Sequence, residues 1–171
     1  MIEIRLLLPG DDRSRFSCGI KPLDRYFHQY AGQNQFRHRI GANYVALADG
    51  EIVGFATVSP AQLEARKLPA ALARRLPHYP LPLLRLARLA TSQTHQVQGI
   101  GLLLLRYVLR LAQRMSREFG CLGVLVDAKP DAVTFYERYG FHLLDVEEGA
   151  LREATRAMFL PLGSIPEETD E

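Results

Sequence analysis

Between an apolar run, Leu83 to Thr91, and the longest amphipathic stretch of the chain, Leu102 to Phe119, lies a segment with two glycines two positions apart, Gln96-Val97-Gln98-Gly99-Ile100-Gly101. No other feature restricts the fold as much. The run before it reads as a central strand, and the stretch after it, closed by Gly120, has the length and period of an α-helix. A strand that feeds a glycine turn and then a long helix gathers backbone N–H groups at one point, to which the helix adds about half a positive charge. A pyrophosphate fits such a place, and a Cβ at Gly99 or Gly101 would block the backbone from close approach to its oxygens. Taken alone, the same turn could do no more than join a strand to a helix.

The remaining chain reads as mixed α/β. Ile2 to Leu6 alternates like a first strand, and Cys18-Gly19 marks a turn before a helical stretch with Leu23, Tyr26, Phe27 and Tyr30 at i, i+3, i+4 and i+7, ending near Phe36. Tyr44 to Ala48, Asp49-Gly50 and Glu51 to Ser59 form a hairpin pattern, because Asp-Gly supplies the positive φ angles of a tight turn. A short helix is expected over Leu63 to Leu76, ahead of Pro77, Pro80 and Pro82. Further strands are expected at Leu122 to Asp127, Phe141 to Val146 and Arg156 to Leu160, with a helix from Asp131 to Tyr139 stopped by Gly140. Arg85 and Arg88 interrupt the apolar run of the central strand, so at least one of them is expected to face a cleft.

With 171 residues and 47% hydrophobic composition, one compact domain is the expectation, spanning 1–162 and followed by a flexible acidic tail over 163–171. No segment has the run of apolar residues that a bilayer crossing needs, and the N-terminus lacks the apolar core of a signal peptide, which points to a soluble, cytoplasmic protein. Cys18 and Cys121 match no metal or redox spacing and read as ordinary buried thiols; the five histidines form no ligand pattern, and no metal is expected. The net charge of +2 conceals an asymmetry: residues 1–117 carry 17 Lys and Arg against 7 Asp and Glu, a net of +10, and the remainder carries −8. Such a distribution fits a surface that meets a polyanion, and it equally fits solvated arginines on an ordinary fold.

The glycine segment resembles the acyl-CoA signature of the GNAT acetyltransferases: Gln or Arg, two variable residues, Gly, one variable residue, Gly or Ala. Thr134-Phe135-Tyr136-Glu137-Arg138-Tyr139-Gly140-Phe141 is similar to the GNAT helix and strand in which a tyrosine lies beside the CoA sulfur. The resemblance implies the GNAT fold, a mixed and mostly antiparallel sheet splayed at its central strands with helices on both faces, and acetyl-CoA as cofactor. It also implies that Leu89 and Ala90 offer backbone groups to the pantetheine and the thioester carbonyl. Thr91, Gln96, Val97, Gln98, Gly99, Ile100, Gly101, Leu102 and Phe135 complete the expected cofactor site. Tyr136 is the expected proton donor to the leaving thiolate; a packed aromatic on an amphipathic helix is the competing reading, and it suits Phe135 and Phe141 better. The general-base Glu of many relatives has no clear counterpart in Leu83 to Thr91, and an amine of low pKa would not need one.

Phe16-Ser17-Cys18-Gly19, Leu23 to Phe27, Gln33-Asn34-Gln35, Gly54-Phe55, Pro80-Leu81-Pro82, Arg88-Leu89-Ala90 and Val126-Asp127-Ala128 look like the GNAT toxins of bacterial toxin-antitoxin modules. That resemblance covers roughly Phe16 to Leu162. It implies acetylation of the amino group on charged tRNA, a ribbon-helix-helix antitoxin as partner, and a homodimer. Arg88, Arg74, Arg75, Arg37 and Arg39 are the candidate contacts to substrate or tRNA, and Arg106, Arg110, Arg114 and Arg117 line one face of the long helix. Val97 departs from the glycine usual in those toxins, as Thr91-Ser92 departs from Val-Asp. Two other readings use the same cofactor site: acetylation of a small-molecule or protein amine, and binding of acetyl-CoA without turnover.

Overall fold

The computed structural model describes residues 1–96, 98–144 and 155–164. Seven strands form one sheet in the order β1-β2-β3-β4-β5-β7-β6. They are β1 (Ile2–Leu6), β2 (Ala42–Ala48), β3 (Glu51–Leu63), β4 (Leu81–Thr91), β5 (Gly123–Ala128), β6 (His142–Leu143) and β7 (Arg156–Pro161). The β1/β2, β2/β3, β5/β7 and β6/β7 pairs are antiparallel. β4 and β5, joined through a long helix, are the parallel pair, and Leu122 N donates to Pro82 O at 2.9 Å where both begin.

The chain resolves into two compact units, the first comprising Met1–Ser59 with Leu86–Arg110. Its hairpin is the one expected: Asp49 and Gly50 have φ of 50° and 79°, the pair of left-handed residues that lets a two-residue turn follow the strand twist. Helix α1 (Lys21–Arg25) continues into two wide turns, Tyr26–Tyr30 and Gln33–Arg37. Ala31 N donates to Tyr26 O, five residues back, so this turn holds one residue more than an α-turn. The extra residue carries Ala31 to the buried face and leaves Tyr30 38% exposed, against the expectation that Tyr30 would pack inward with Tyr26 and Phe27. Phe27 stacks on Phe55 at 4.3 Å between ring centroids, and Phe16 meets both rings edge-on. Gly54 lets the long helix lie close: a Cβ there would fall 2.9 Å from Ile100 Cγ2 and 3.1 Å from Ala90 O.

The second unit comprises Pro60–Arg85 with Leu111–Glu171. Leu81, Leu83, Leu125 and Phe159 form its core with Ala65, Leu68 and Leu144. The helix expected over Leu63 to Leu76 is mostly absent. β3 runs on to Leu63, a single 3₁₀ turn covers Ala65–Lys67, and helix α2 spans only Ala70–Ala73. Pro69 is the physical reason, since it donates no hydrogen bond and holds Leu68 in extended geometry, whatever the helix propensity of the surrounding Ala and Leu. Helix α3 (Ile100–Glu118) crosses from one unit to the other and ends with Phe119 N and Gly120 N both donating to Met115 O, Gly120 having a φ of 108°. Helix α4 (Val133–Arg138) is shorter than expected because Pro130–Ala132 forms a separate 3₁₀ turn. β6 keeps two residues of the expected strand, whose remainder at Asp145 and Val146 lies outside the described residues. Most of the acidic tail, 165–171, lies outside them as well.

Cys18 and Cys121 are free and buried, and burial pushes both thiols above their ordinary pKa. Among the described residues no helix is long and apolar enough to cross a membrane, and no group of three His, Cys, Asp or Glu could hold a metal ion.

Candidate functional site

In the first unit the turn after β4 is pinned at both ends. Ser92 N donates to Val53 O at 2.8 Å and Gln93 N to Ser17 O at 2.9 Å, while Gln96 Nε2 reaches Cys18 O at 3.5 Å. Gln98 N closes a local turn onto His95 O. Gly99 then takes a φ of 72°, which an L side chain rarely adopts, and α3 begins. Among the described residues the first hydrogen bond into the helix runs from Leu103 N to Gly99 O at 3.1 Å, and the amides of Ile100 and Leu102 find no carbonyl one turn back. Gly99 offers no side chain to cap them.

The two glycines serve differently. Gly99 is required by its backbone angle, whereas among the described residues a Cβ on Gly101 would meet only Thr91 Oγ1, at an ordinary 3.7 Å. The protein itself has no steric need for glycine at 101. The space that a Cβ would fill there opens beside the amides at the start of α3, and a pyrophosphate with negatively charged oxygens fits that donor set. Ile100 is fully buried, so its side chain belongs to the core and only its amide is left to offer. Val97 lies outside the described residues.

Strand parity decides which edge each backbone group of β4 faces. In an extended strand the N–H and C=O of one residue point to the same edge, and the edge alternates along the chain. Ser92 N reaches β3, and Ala90 O lies against Gly54 of the same strand, so the even positions serve the β3 edge. Leu89 and Thr91 therefore present their backbone groups to the opposite edge. Of the two residues expected to hold the pantetheine, Leu89 faces the edge away from β3 and Ala90 faces β3.

Arg88 meets the expectation of a strand arginine facing a cleft. It lines a cavity of about 960 Å³ with Lys21, Asp24, Arg25, Tyr26 and His28, and its guanidinium carbon lies 3.6 Å from the centroid of the Tyr26 ring. The sequence marks Tyr26 by its place in a helical pattern and gives it no part in a site; an arginine inside a leucine strand is the signal that some aromatic or carboxylate must receive it. Arg85 is different: its buried Nε has no hydrogen-bond partner among the described residues.

In the second unit Tyr136 sits on α4, 5% exposed, between Phe135 at 5.2 Å and Phe141 at 5.3 Å. Gly140, with a φ of 92°, and the bonds Gly140 N to Glu137 O and Phe141 N to Tyr136 O fix the end of this short helix. Burial pushes the phenol well above its ordinary pKa, which keeps it a neutral hydrogen-bond donor. Phe135, expected at the cofactor, is half-buried and also meets Tyr139 edge-on. Arg74 lines a second basic cavity, about 430 Å³, with Arg66, Lys67 and His78. Arg75, Arg37 and Arg39 are exposed and line neither cavity, and Arg39 has a φ of 55°.

Residues 39–143 match the family model described as the acetyltransferase (GNAT) domain. The chain is 30% identical over 142 residues to the tRNA-acetylating toxin of Mycobacterium tuberculosis, a match covering 81% of this chain and 83% of that protein. Among solved structures it is similar to AtaT complexed with acetyl-methionyl-tRNAfMet, with a TM-score of 0.86, 26% identity and 96% of each chain covered. It is also similar to a tyrosine-to-phenylalanine mutant of the AtaT toxin bound to acetyl-CoA and the C-terminus of the antitoxin AtaR. That match has a TM-score of 0.78 at 25% identity and covers 96% of this chain and 95% of the other.

Proposed function

The chain belongs to the GNAT acetyltransferase family and is an acetyl-CoA-dependent N-acetyltransferase, and on that premise we propose that it acetylates the α-amino group of aminoacyl-tRNA and so blocks translation as a toxin. The observation that carries this reading is the kinship with the Mycobacterium tuberculosis tRNA-acetylating toxin over most of both chains. In this reading residues 1–162 act as one catalytic domain and 163–171 as an acidic tail. The setting that goes with it is a cytoplasmic homodimer held in check by a ribbon-helix-helix antitoxin.

When bound, acetyl-CoA supplies a thioester open to attack by a neutral amine, with a thiolate as leaving group. The amides of Gly99, Ile100, Gly101 and Leu102 hold the pyrophosphate at the uncapped start of α3, helped by the turn from Gln96 through Val97 to Gln98. Leu89 and Thr91 hold the pantetheine through the β4 edge that β3 leaves free, and Phe135 adds apolar contact. Tyr136 donates a hydrogen bond to the departing sulfur. A phenol is a weaker acid than a thiol, and burial widens that gap, so Tyr136 stabilises developing negative charge without surrendering its proton outright. The chain needs no carboxylate base, since an α-amine beside an ester is far less basic than that of lysine and is already largely neutral. Arg74, with Arg66, Lys67 and His78, receives the sugar-phosphate backbone, and Arg37, Arg39 and Arg75 add to the attractive field.

The test is transfer of labelled acetyl groups from acetyl-CoA into a total pool of charged tRNA, with free amino acids and lysine peptides offered in parallel. Label should appear on tRNA and leave with the amino acid when the ester is hydrolysed. Labelled peptide or free amine beside unlabelled tRNA would refute the proposed acceptor.

A further inference from the structure

A charged side chain on a strand of leucines needs an arrangement that compensates it. Arg88 shares its side of β4 with Leu86 and Ala90, both buried. Among the described residues no carboxylate forms an ion pair with it. Its compensation is the face of Tyr26, against which the guanidinium lies at 3.6 Å.

Tyr26 is itself clamped from behind. Its hydroxyl donates to Asn43 Oδ1 at 2.9 Å, and the same oxygen accepts the Thr57 hydroxyl at 2.8 Å. Asn43 is fully buried, and its Nδ2 donates to Ala31 O at 3.1 Å and to Gln35 Oε1 at 3.2 Å. A polar chain sealed inside the first unit thus fixes the plane on which Arg88 rests. A guanidinium seated over a ring face leaves its N–H donors to other partners, and its planar fork matches two oxygens of a phosphate.

The surroundings of Arg88 select the sign of what can enter. Lys21 and Arg25 line the same cavity, and His28 has its Nε2 committed as donor to Phe16 O at 2.6 Å. The one acid there, Asp24, already accepts from Cys18 N at 2.8 Å and from the Ser17 hydroxyl at 3.3 Å. A polyamine or a lysine side chain would arrive as a cation in a cavity with surplus positive charge. The aminoacyl end of a nucleic acid brings its amine within one nucleotide of a phosphodiester.

We propose that Arg88, held flat by Tyr26, binds the phosphodiester of the acceptor's terminal nucleotide and thereby selects an ester-linked amine on nucleic acid over a free amine. Tyr26 is a positioning residue that acts through Arg88. This proposal rests on the reading of the acceptor as charged tRNA.

The experiment compares kcat/KM for two acceptors: a mixed pool of charged tRNA, and a mixed pool of amino-acid methyl esters, which have the same weakly basic amine and no phosphate. In Arg88→Gln the ratio of tRNA to ester activity should fall roughly 10- to 100-fold, the loss expected for one charge-assisted hydrogen-bonded contact, and chiefly through KM. The slope of log kcat/KM for tRNA against log salt should flatten by about 0.7–0.9, the value of one released phosphate contact. Arg88→Lys, which keeps the charge and loses the fork, should recover only part of the ratio. Tyr26→Phe, which keeps the ring and frees it from Asn43, should lower the ratio by itself and add nothing to Arg88→Gln. An equal fall for both acceptors, or an unchanged salt slope in Arg88→Gln, would overturn the proposal. Wild-type enzyme that acetylates the esters and leaves charged tRNA untouched would remove the reading beneath it, an outcome visible before any variant is made.

Discussion

Replacing Gly101 by alanine should move stability and cofactor affinity in opposite directions. The new methyl group would meet only Thr91 Oγ1 at 3.7 Å, and residue 101 lies in the first turn of α3, where no positive φ demands glycine. Alanine therefore costs nothing sterically in the free protein and restricts the unfolded chain, a gain of about 0.5–1 kcal/mol. For a chain of this length that is about 1–4 °C in melting temperature. In the proposed site the same methyl group stands where the pyrophosphate approaches the amides. Displacing one such contact should raise the dissociation constant for CoA roughly 10- to 100-fold. Thermal unfolding and isothermal titration with CoA on the same preparation read both effects. Gly99→Ala gives the contrast: with φ at 72° it should cost about 1–2 kcal/mol of stability as well as weakening CoA binding. A Gly101→Ala protein that melts higher and binds CoA as tightly as before would refute the claim that this turn grips the pyrophosphate at close range.

Other consequences can be measured independently. Tyr136→Phe keeps the ring among Phe135 and Phe141, so it should unfold within about 1 kcal/mol of the parent and lose turnover by at least about tenfold while CoA affinity holds; unchanged turnover would leave the hydroxyl without a catalytic role. The raised pKa of Tyr136 has a signed effect on stability, because above pH 10 the unfolded chain releases that proton while the folded chain retains it. Stability should thus be intact below pH 10 and decline as pH rises beyond it, by at most about 1.4 kcal/mol per pH unit from this group; denaturant unfolding at pH 9 and 11 should show a smaller decline in Tyr136→Phe. Asn43→Ala strands the hydroxyls of Tyr26 and Thr57 in the core and should cost about 2–4 kcal/mol in urea unfolding.

What could be read from the chain alone was what is local in it. Asp49-Gly50 declares its turn by backbone preference, and α3 declares itself by period and by Gly120. The segment from Leu63 to Leu76 misled because Ala, Leu and Arg favour helix one residue at a time, whereas β3 pairing and Pro69 act over a longer span. Wide turns leave no periodic trace, so the outward swing of Tyr30 was not legible. The stack of Arg88 on Tyr26 joins residues from distant segments, and only the arginine's awkward position in an apolar strand hinted at it. Likewise the glycine signature pointed to a strand, turn and helix, but which edge each β4 residue faces depends on pairing with β3, and that turned Ala90 toward β3 and Leu89 and Thr91 toward the opposite edge.

The alternation along β4 has an evolutionary implication. In the proposed site, donor recognition at the margin of Leu89 and Thr91, and at the start of α3, is written in main-chain atoms that nearly every amino acid possesses, so most substitutions there leave it unread and unharmed. In the same proposal, acceptor choice is written in side chains such as Arg88 and Arg74, each of which a single codon change can erase. Descendants of one ancestral gene can therefore drift among targets while remaining loyal to the same acyl carrier.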